Sequence, residues 1–182
     1  MRRAGIALGV VASIVVGVAA CGAPGAPVER SQASDEALRN LDDQEQAFLG
    51  LINQYRQSQG LAPLTATPLL NQVAYDHSND MATNDYFDHN DKAGHSPFDR
   101  MKTAGYDGGY MAENIAAGNA DAQSTFEQWR NSPGHDENMR GPHYVAIGIG
   151  RAYGSTAPYS WYWTTDFGNY VDDSVEDADA GD

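Results

Sequence analysis

The chain has almost no cysteine. Cys21 is the only one in 182 residues, so a disulfide framework within the chain is excluded and the fold must stand on packing. Cations are scarce as well: 11 Lys and Arg against 25 Asp and Glu leave a formal charge of −14. Nucleic acid is therefore a poor partner, because phosphate recognition needs a basic face. Anionic membrane or wall polymers would also repel the body of such a molecule. The sequence has no His-Glu-x-x-His, no Gly-x-Ser-x-Gly and no cysteine after Cys21, so three common signatures of hydrolytic sites are missing. Long apolar runs are confined to the beginning.

There, Arg2 and Arg3 precede an uncharged, largely apolar stretch from Ala4 to Ala20, which has the form of an export signal and is short for a spanning helix. Val18-Ala19-Ala20-Cys21 places small residues before the cysteine and resembles a bacterial lipobox. That resemblance implies cleavage before Cys21 and a lipid on its thiol, anchoring the protein to the outer face of the cell membrane or envelope. Residues 1–20 are thus expected to be a lipoprotein signal peptide. Residues 21–40, which open with Gly, Ala and Pro, are expected to be a lipid-anchored flexible tether. At the other end, residues 171–182 read as an acidic, disordered tail. Between them, residues 41–170 form one domain of about 130 residues, enough to bury roughly two-thirds of its unfolded surface.

Within the domain, Phe48, Leu51, Ile52 and Tyr55 at helical spacing predict a helix that starts near Asp42 or Asp43 and stops at Gly60. Thr67-Pro68 is a cap and first-turn pair for a second helix, whose inward stripe includes Leu70, Val73, Ala74, His77 and Met81. Ser96-Pro97 starts a short third helix, and residues 121–130 form another that Ser132-Pro133-Gly134 breaks. The period then changes to two. Val145, Ile147 and Ile149, and later Trp161, Trp163, Thr165 and Phe167, alternate along two antiparallel strands, and a shorter strand passes through residues 113–116. The fold class that follows is α+β, with a small antiparallel sheet between helices.

These pieces resemble the CAP superfamily, the cysteine-rich secretory, antigen-five and pathogenesis-related proteins, and in particular its bacterial branch. The resemblance is carried by INQYRQSQGLAPL, the spacing of His77-Ser78 to Phe87-Asp88-His89, HSPFDRMKTAGY, AENIAAG, WRNSPGH, HYVAIGIG and YWTTDFG, in that order. It implies a three-layer α-β-α sandwich with a central cleft holding two histidines and two acids, which in many members takes a divalent metal, most often zinc. The matching positions are His89, Glu113 in Glu-Asn, and His143 in His-Tyr-Val. The second acid has no counterpart after Trp129, where His135 stands as a substitute and Glu127, Asp136 and Glu137 are further alternatives.

Neutral imidazoles suit zinc and leave room for a water, with a glutamate to orient a ligand. The same residues also suit a buried hydrogen-bond cluster that stiffens the cleft. Three functions follow. The favoured one is a non-enzymatic, envelope-anchored module binding a divalent metal, or a lipid, sterol-like or peptide ligand. The others are a metal-dependent hydrolase of peptide or wall polymer, and an adhesive surface protein.

Overall fold

The computed structural model describes residues 39–174. The expected signal peptide, the lipid site at Cys21, nearly all of the tether and residues 175–182 lie outside the described residues. The elements in order are α1 (Asp43–Ser58), β1 (Thr65–Ala66), α2 (Pro68–Asn84), α3 (Pro97–Ala104), β2 (Met111–Ala117), α4 (Ala122–Arg130), α5 (Pro133–Met139), β3 (Ala146–Tyr153) and β4 (Trp161–Gly168).

Helix starts follow local chemistry. The Asp42 carboxylate accepts the Gln44 and Glu45 N–H groups, and Glu45 reaches back to the Asp42 N–H, closing a capping box. Thr67 caps α2 ahead of Pro68, and Ser96 with Asp99 boxes the start of α3. Gly105, at φ 105°, then ends α3 in the left-handed conformation that a side chain would resist.

The sheet order is β1-β3-β4-β2, with β3–β4 and β2–β4 antiparallel and β1–β3 parallel. The sheet is therefore mixed by one two-residue edge pairing, where an antiparallel sheet was expected. Period-two alternation gives it two faces. On one, Ile147, Ile149, Trp163 and Phe167 pack with Phe48 and Ile52 of α1 and Phe126 and Trp129 of α4. On the other, Tyr162 and Ile115 meet Met81 of α2, and Ala146 meets Leu70 and Val73. A Cβ at Gly148 would stand 2.1 Å from the Leu70 carbonyl oxygen, and one at Gly150 2.1 Å from the Tyr75 nitrogen. The alternating glycines of β3 thus let the α2 backbone lie directly on the sheet. Helices on both faces make the three-layer sandwich.

Three details differ from expectation. Ser132-Pro133-Gly134 ends α4 but also begins α5, because proline at a first helical position donates no hydrogen bond that the helix needs. The strand expected over residues 113–116 runs the full length of β4's partner edge, from Met111 to Ala117. Ser174 accepts the Leu69 N–H, Asp172 is buried, and Arg39 pairs with Glu45 at 2.8 Å, so packed structure extends a few residues past 41–170 at both ends. Among the described residues, no helix is long and apolar enough to cross a membrane.

Candidate functional site

Strand β2 is an edge of the sheet, and two of its carbonyls are taken by side chains. Asn138 of α5 donates to the Glu113 carbonyl at 3.3 Å, and the Trp129 indole donates to the Ile115 carbonyl at 3.0 Å. These contacts blunt the edge against strand addition. Asn138 also donates to the Asn114 side chain, which in turn donates to the His135 carbonyl. A cleft of about 510 Å³ lies along this edge, lined by His89, Asn90, Ser96, Pro97, Phe98, Met111, Ala112, Glu113, Asn138 and Tyr144.

Glu113 is the centre of the polar wall. Its side chain is almost wholly buried, and both its oxygens are engaged: Oε1 lies 2.7 Å from His89 Nδ1, and Oε2 accepts from Arg100 Nη2 at 2.5 Å. Arg100 also donates through Nη1 to the carbonyls of His89 and His95, at 2.8 and 3.2 Å. One guanidinium therefore ties α3, the His89 loop and the β2 carboxylate together. Because Glu113 accepts at His89 Nδ1, that nitrogen carries the proton and Nε2 is left for a ligand. The Glu113 hydrogen bond raises the His89 pKa above the ordinary histidine value, against the opposing effect of burial.

The structure bonds His89 to Glu113 directly, while His135 feels the His89 charge without bonding to either. His143 is exposed, and its ring stacks on Tyr110 at 4.4 Å and 16°. His135 sits on α5, half-buried, with Nδ1 2.9 Å from the Ser132 hydroxyl and its ring against Trp129. Burial lowers its pKa, and so does the charge of His89. Glu127 accepts from Gln123 on the surface of α4, Asp136 accepts from Tyr55 and Arg140, and Glu137 is exposed. Among the described residues, no group of three or more His, Cys, Asp or Glu is placed to hold a metal ion. With both Glu113 oxygens committed, this donor set does not fit zinc.

Two neighbours of the cluster escaped the sequence reading. Arg100 lies four residues after the Ser96 cap and reads as a solvated helix residue. Asp166 is fully buried and stands opposite Glu113 in the β2–β4 register. Its signal was present: in YWTTDFG the residues alternating with Trp163, Thr165 and Phe167 are Tyr162, Thr164 and Asp166, so an acid had to face the other buried side. His77, expected to point inward, is buried with Nε2 3.0 Å from the Asp88 carbonyl.

Chemically, the arrangement is a half-exposed imidazole oriented by a closed Glu–Arg pair, beside an apolar strip of Pro97, Phe98, Met111 and Tyr144. The nearby Ser96 hydroxyl is committed to capping Asp99.

The profile of the cysteine-rich secretory protein family, CAP, matches residues 49–167. The chain belongs to the CAP family. Its CAP domain is 35% identical over 125 residues to YkwD of Bacillus subtilis (strain 168), covering 69% of this chain and 49% of YkwD. It is 33% identical over 124 residues to the membrane protein YlbC of the same organism, covering 68% of this chain and 36% of YlbC. The match thus spans half or less of these curated relatives. Among solved structures, an extracellular SCP-domain protein from Bacillus anthracis str. Ames superposes with a TM-score of 0.61 at 27% identity, covering 69% of this chain and 40% of that one. An outer surface protein of Borrelia burgdorferi gives a TM-score of 0.65 at 20% identity, covering 72% of this chain and 96% of that one. The latter likeness is one of fold.

Proposed function

We propose that this CAP domain is an exported binding module whose β2-edge cleft takes a ligand joining an apolar group to a carbonyl or carboxylate, as a peptide segment does. The observation that carries the reading is the division of the cleft wall. Glu113 raises the His89 pKa, and the charged ring offers Nε2–H as one oriented donor to a carbonyl or carboxylate, while Phe98, nearly half exposed, forms with Tyr144 and Met111 an apolar surface beside it. Concave sites of this size and mixed lining are the usual form of small-ligand sites. No catalytic step is assigned, since both Glu113 oxygens are engaged and the Ser96 hydroxyl is tied to Asp99.

Zinc binding, which the family resemblance implies, would require His143 to leave Tyr110 and Glu113 to release a partner, so the proposal does not include it. Export and anchoring at Cys21 belong to the same reading. They are supported by the signal-like start, the lipobox-like Val18-Ala19-Ala20-Cys21, and relatives described as extracellular or outer surface proteins.

The test is nuclear magnetic resonance titration of the full chain in detergent with N-acetyl tripeptides whose central residue is Leu, Phe, Lys or Glu. Saturable shifts at Phe98, Met111 and Tyr144 with the Leu or Phe peptides, lost in Phe98→Ala, support the proposal. Shifts confined to other surfaces, or none with any peptide, contradict it.

A further inference from the structure

Behind the cleft wall, a second polar cluster has no role in the ligand contacts described above. His77 of α2, Arg100 of α3 and Asp166 of β4 each bury side-chain atoms without a hydrogen-bond partner in the protein: His77 Nδ1, Arg100 Nε and both carboxyl oxygens of Asp166. They share neighbours. Directly opposed residues of an antiparallel pair point to the same face, so Asp166 stands beside Glu113 on the α2 side of the sheet. Arg100 is bonded to that glutamate, and the charges of Glu113 and Arg100 act on both His77 and Asp166. Next to Asp166 on β3 stands Gly148, which contributes no polar group. The remaining charged neighbour of His77, Asp80, is engaged by Tyr86 and Asn84.

Each buried polar atom left without a partner costs about 1–3 kcal/mol, so four such atoms on side chains that all face the Glu113–Arg100 pair are costly unless another group meets them. We propose that His77, Arg100 and Asp166 enclose an internal hydration site behind the Glu113 carboxylate, with bound water joining the Asp166 carboxyl to the His77 imidazole.

The donors and acceptors match this occupant. His77 Nε2 faces the Asp88 carbonyl, which only accepts, so Nε2 carries the proton and Nδ1 is an acceptor. Burial holds that imidazole neutral by lowering its pKa. Burial beside the negative Glu113 raises the Asp166 pKa far above the carboxylate range, with Arg100 only partly opposing it. Asp166 is then a neutral acid with one donor and one acceptor. Together with the Arg100 Nε–H donor and the His77 Nδ1 acceptor, the site has two donors and two acceptors, which water, giving two hydrogen bonds and taking two, can satisfy. The charges close as well: Glu113 balances Arg100, whereas an ionised Asp166 would leave an unpaired negative charge in the interior. The site fixes the third arm of a guanidinium whose other two arms hold Glu113 and the His89 loop. Asp166 and His77 are therefore positioning residues for the cleft.

The experiment is heteronuclear magnetic resonance on the full chain in detergent, with carboxyl-¹³C aspartate and ¹⁵N histidine. Asp166→Asn assigns the Asp166 carboxyl signal by its loss. The expected result is a carboxyl carbon that keeps its neutral-acid shift well past the pH at which exposed aspartates ionise, and a His77 imidazole protonated at Nε2 with a cross-peak to long-lived water. That cross-peak persists in Asp166→Asn and disappears in Asp166→Leu. An Asp166 carbon that titrates as an ordinary carboxylate overturns the proposal, as does a His77 ring with no water cross-peak. Both are read in the unsubstituted protein, so a variant that fails to fold does not rescue the idea. Peptide binding in the cleft is read separately and can fail without touching this result.

Discussion

Glu113 and Asp166 stand opposite each other in the register of β2 and β4, and of the two only Glu113 has side-chain hydrogen-bond partners. The two carboxyls therefore meet the buried environment in different ways. Arg100 and His89 surround one, while burial beside that negative charge keeps the other protonated.

A pH dependence follows from Asp166. Its folded pKa is raised, so its contribution to stability is fully present below the unfolded value of about 3.9 and is lost as pH rises toward the folded value. Asp166→Asn lacks that loss. Urea unfolding at a series of pH values should show the variant gaining on the parent steadily as pH rises above about 4. A difference that stays flat with pH would mean that Asp166 is not a buried acid.

His89 should behave with its own sign. Its folded pKa is raised by Glu113, so the stability it contributes is complete below about 6.5 and fades as pH rises through the folded value. The destabilisation caused by His89→Gln should accordingly be largest in mild acid and shrink at alkaline pH. His77, whose pKa is lowered by burial, loses its contribution in the opposite direction but is present in both proteins, so comparing them isolates His89.

Arg100→Met should cost about 3–5 kcal/mol, because it leaves the buried Glu113 carboxylate with one partner. The double variant Arg100→Met with Glu113→Leu should recover much of that loss, since removing both partners of a buried pair is cheaper than removing one. Chemical denaturation of the two variants checks the pair, and an equal loss in both would contradict this account of the cluster.

Arg56 is a second buried cation, placed on α1 and donating to four carbonyls: Ala62 at 2.9 Å, Met139 at 2.8 Å, Gly141 at 3.0 Å and Tyr144 at 3.2 Å. It holds the segment that follows α5 against the first helix, and that segment carries His143 and the cleft residue Tyr144. Arg56→Leu should destabilise by at least about 3 kcal/mol, since each unreplaced bond costs about 1–3. In hydrogen exchange, protection should fall first at residues 139–145. Loss of protection elsewhere with this segment unchanged would contradict the role.

Most of the scaffold was legible from residue spacing, because helix caps and strand alternation are local. Thr67-Pro68 placed the start of α2, and the alternation of Ile147 and Ile149 placed β3, whereas the approach of α2 to Gly148 and Gly150 came only with the structure. Helix α5 was harder to see, since Ser132-Pro133-Gly134 serves equally as a stop and a start and only packing decides. At the site, His89 and Glu113 were legible through the family resemblance. Arg100 was not, because a helix-surface arginine and one turned into a buried carboxylate look alike in sequence. His143 was assigned to the cleft from the resemblance alone, and its ring is held by Tyr110, a contact between segments that spacing does not reveal.

The central claim is that Glu113 is closed by His89 and Arg100, making the cleft's polar centre a support for ligand contacts. A calorimetric titration of zinc into the full chain in detergent, with His89→Ala and His143→Ala forms of unchanged circular dichroism in parallel, tests it most directly. The account predicts no stoichiometric zinc binding that depends on both histidines. One-to-one binding abolished by each substitution would contradict it, and would show that His143 leaves Tyr110 to join His89 around a metal.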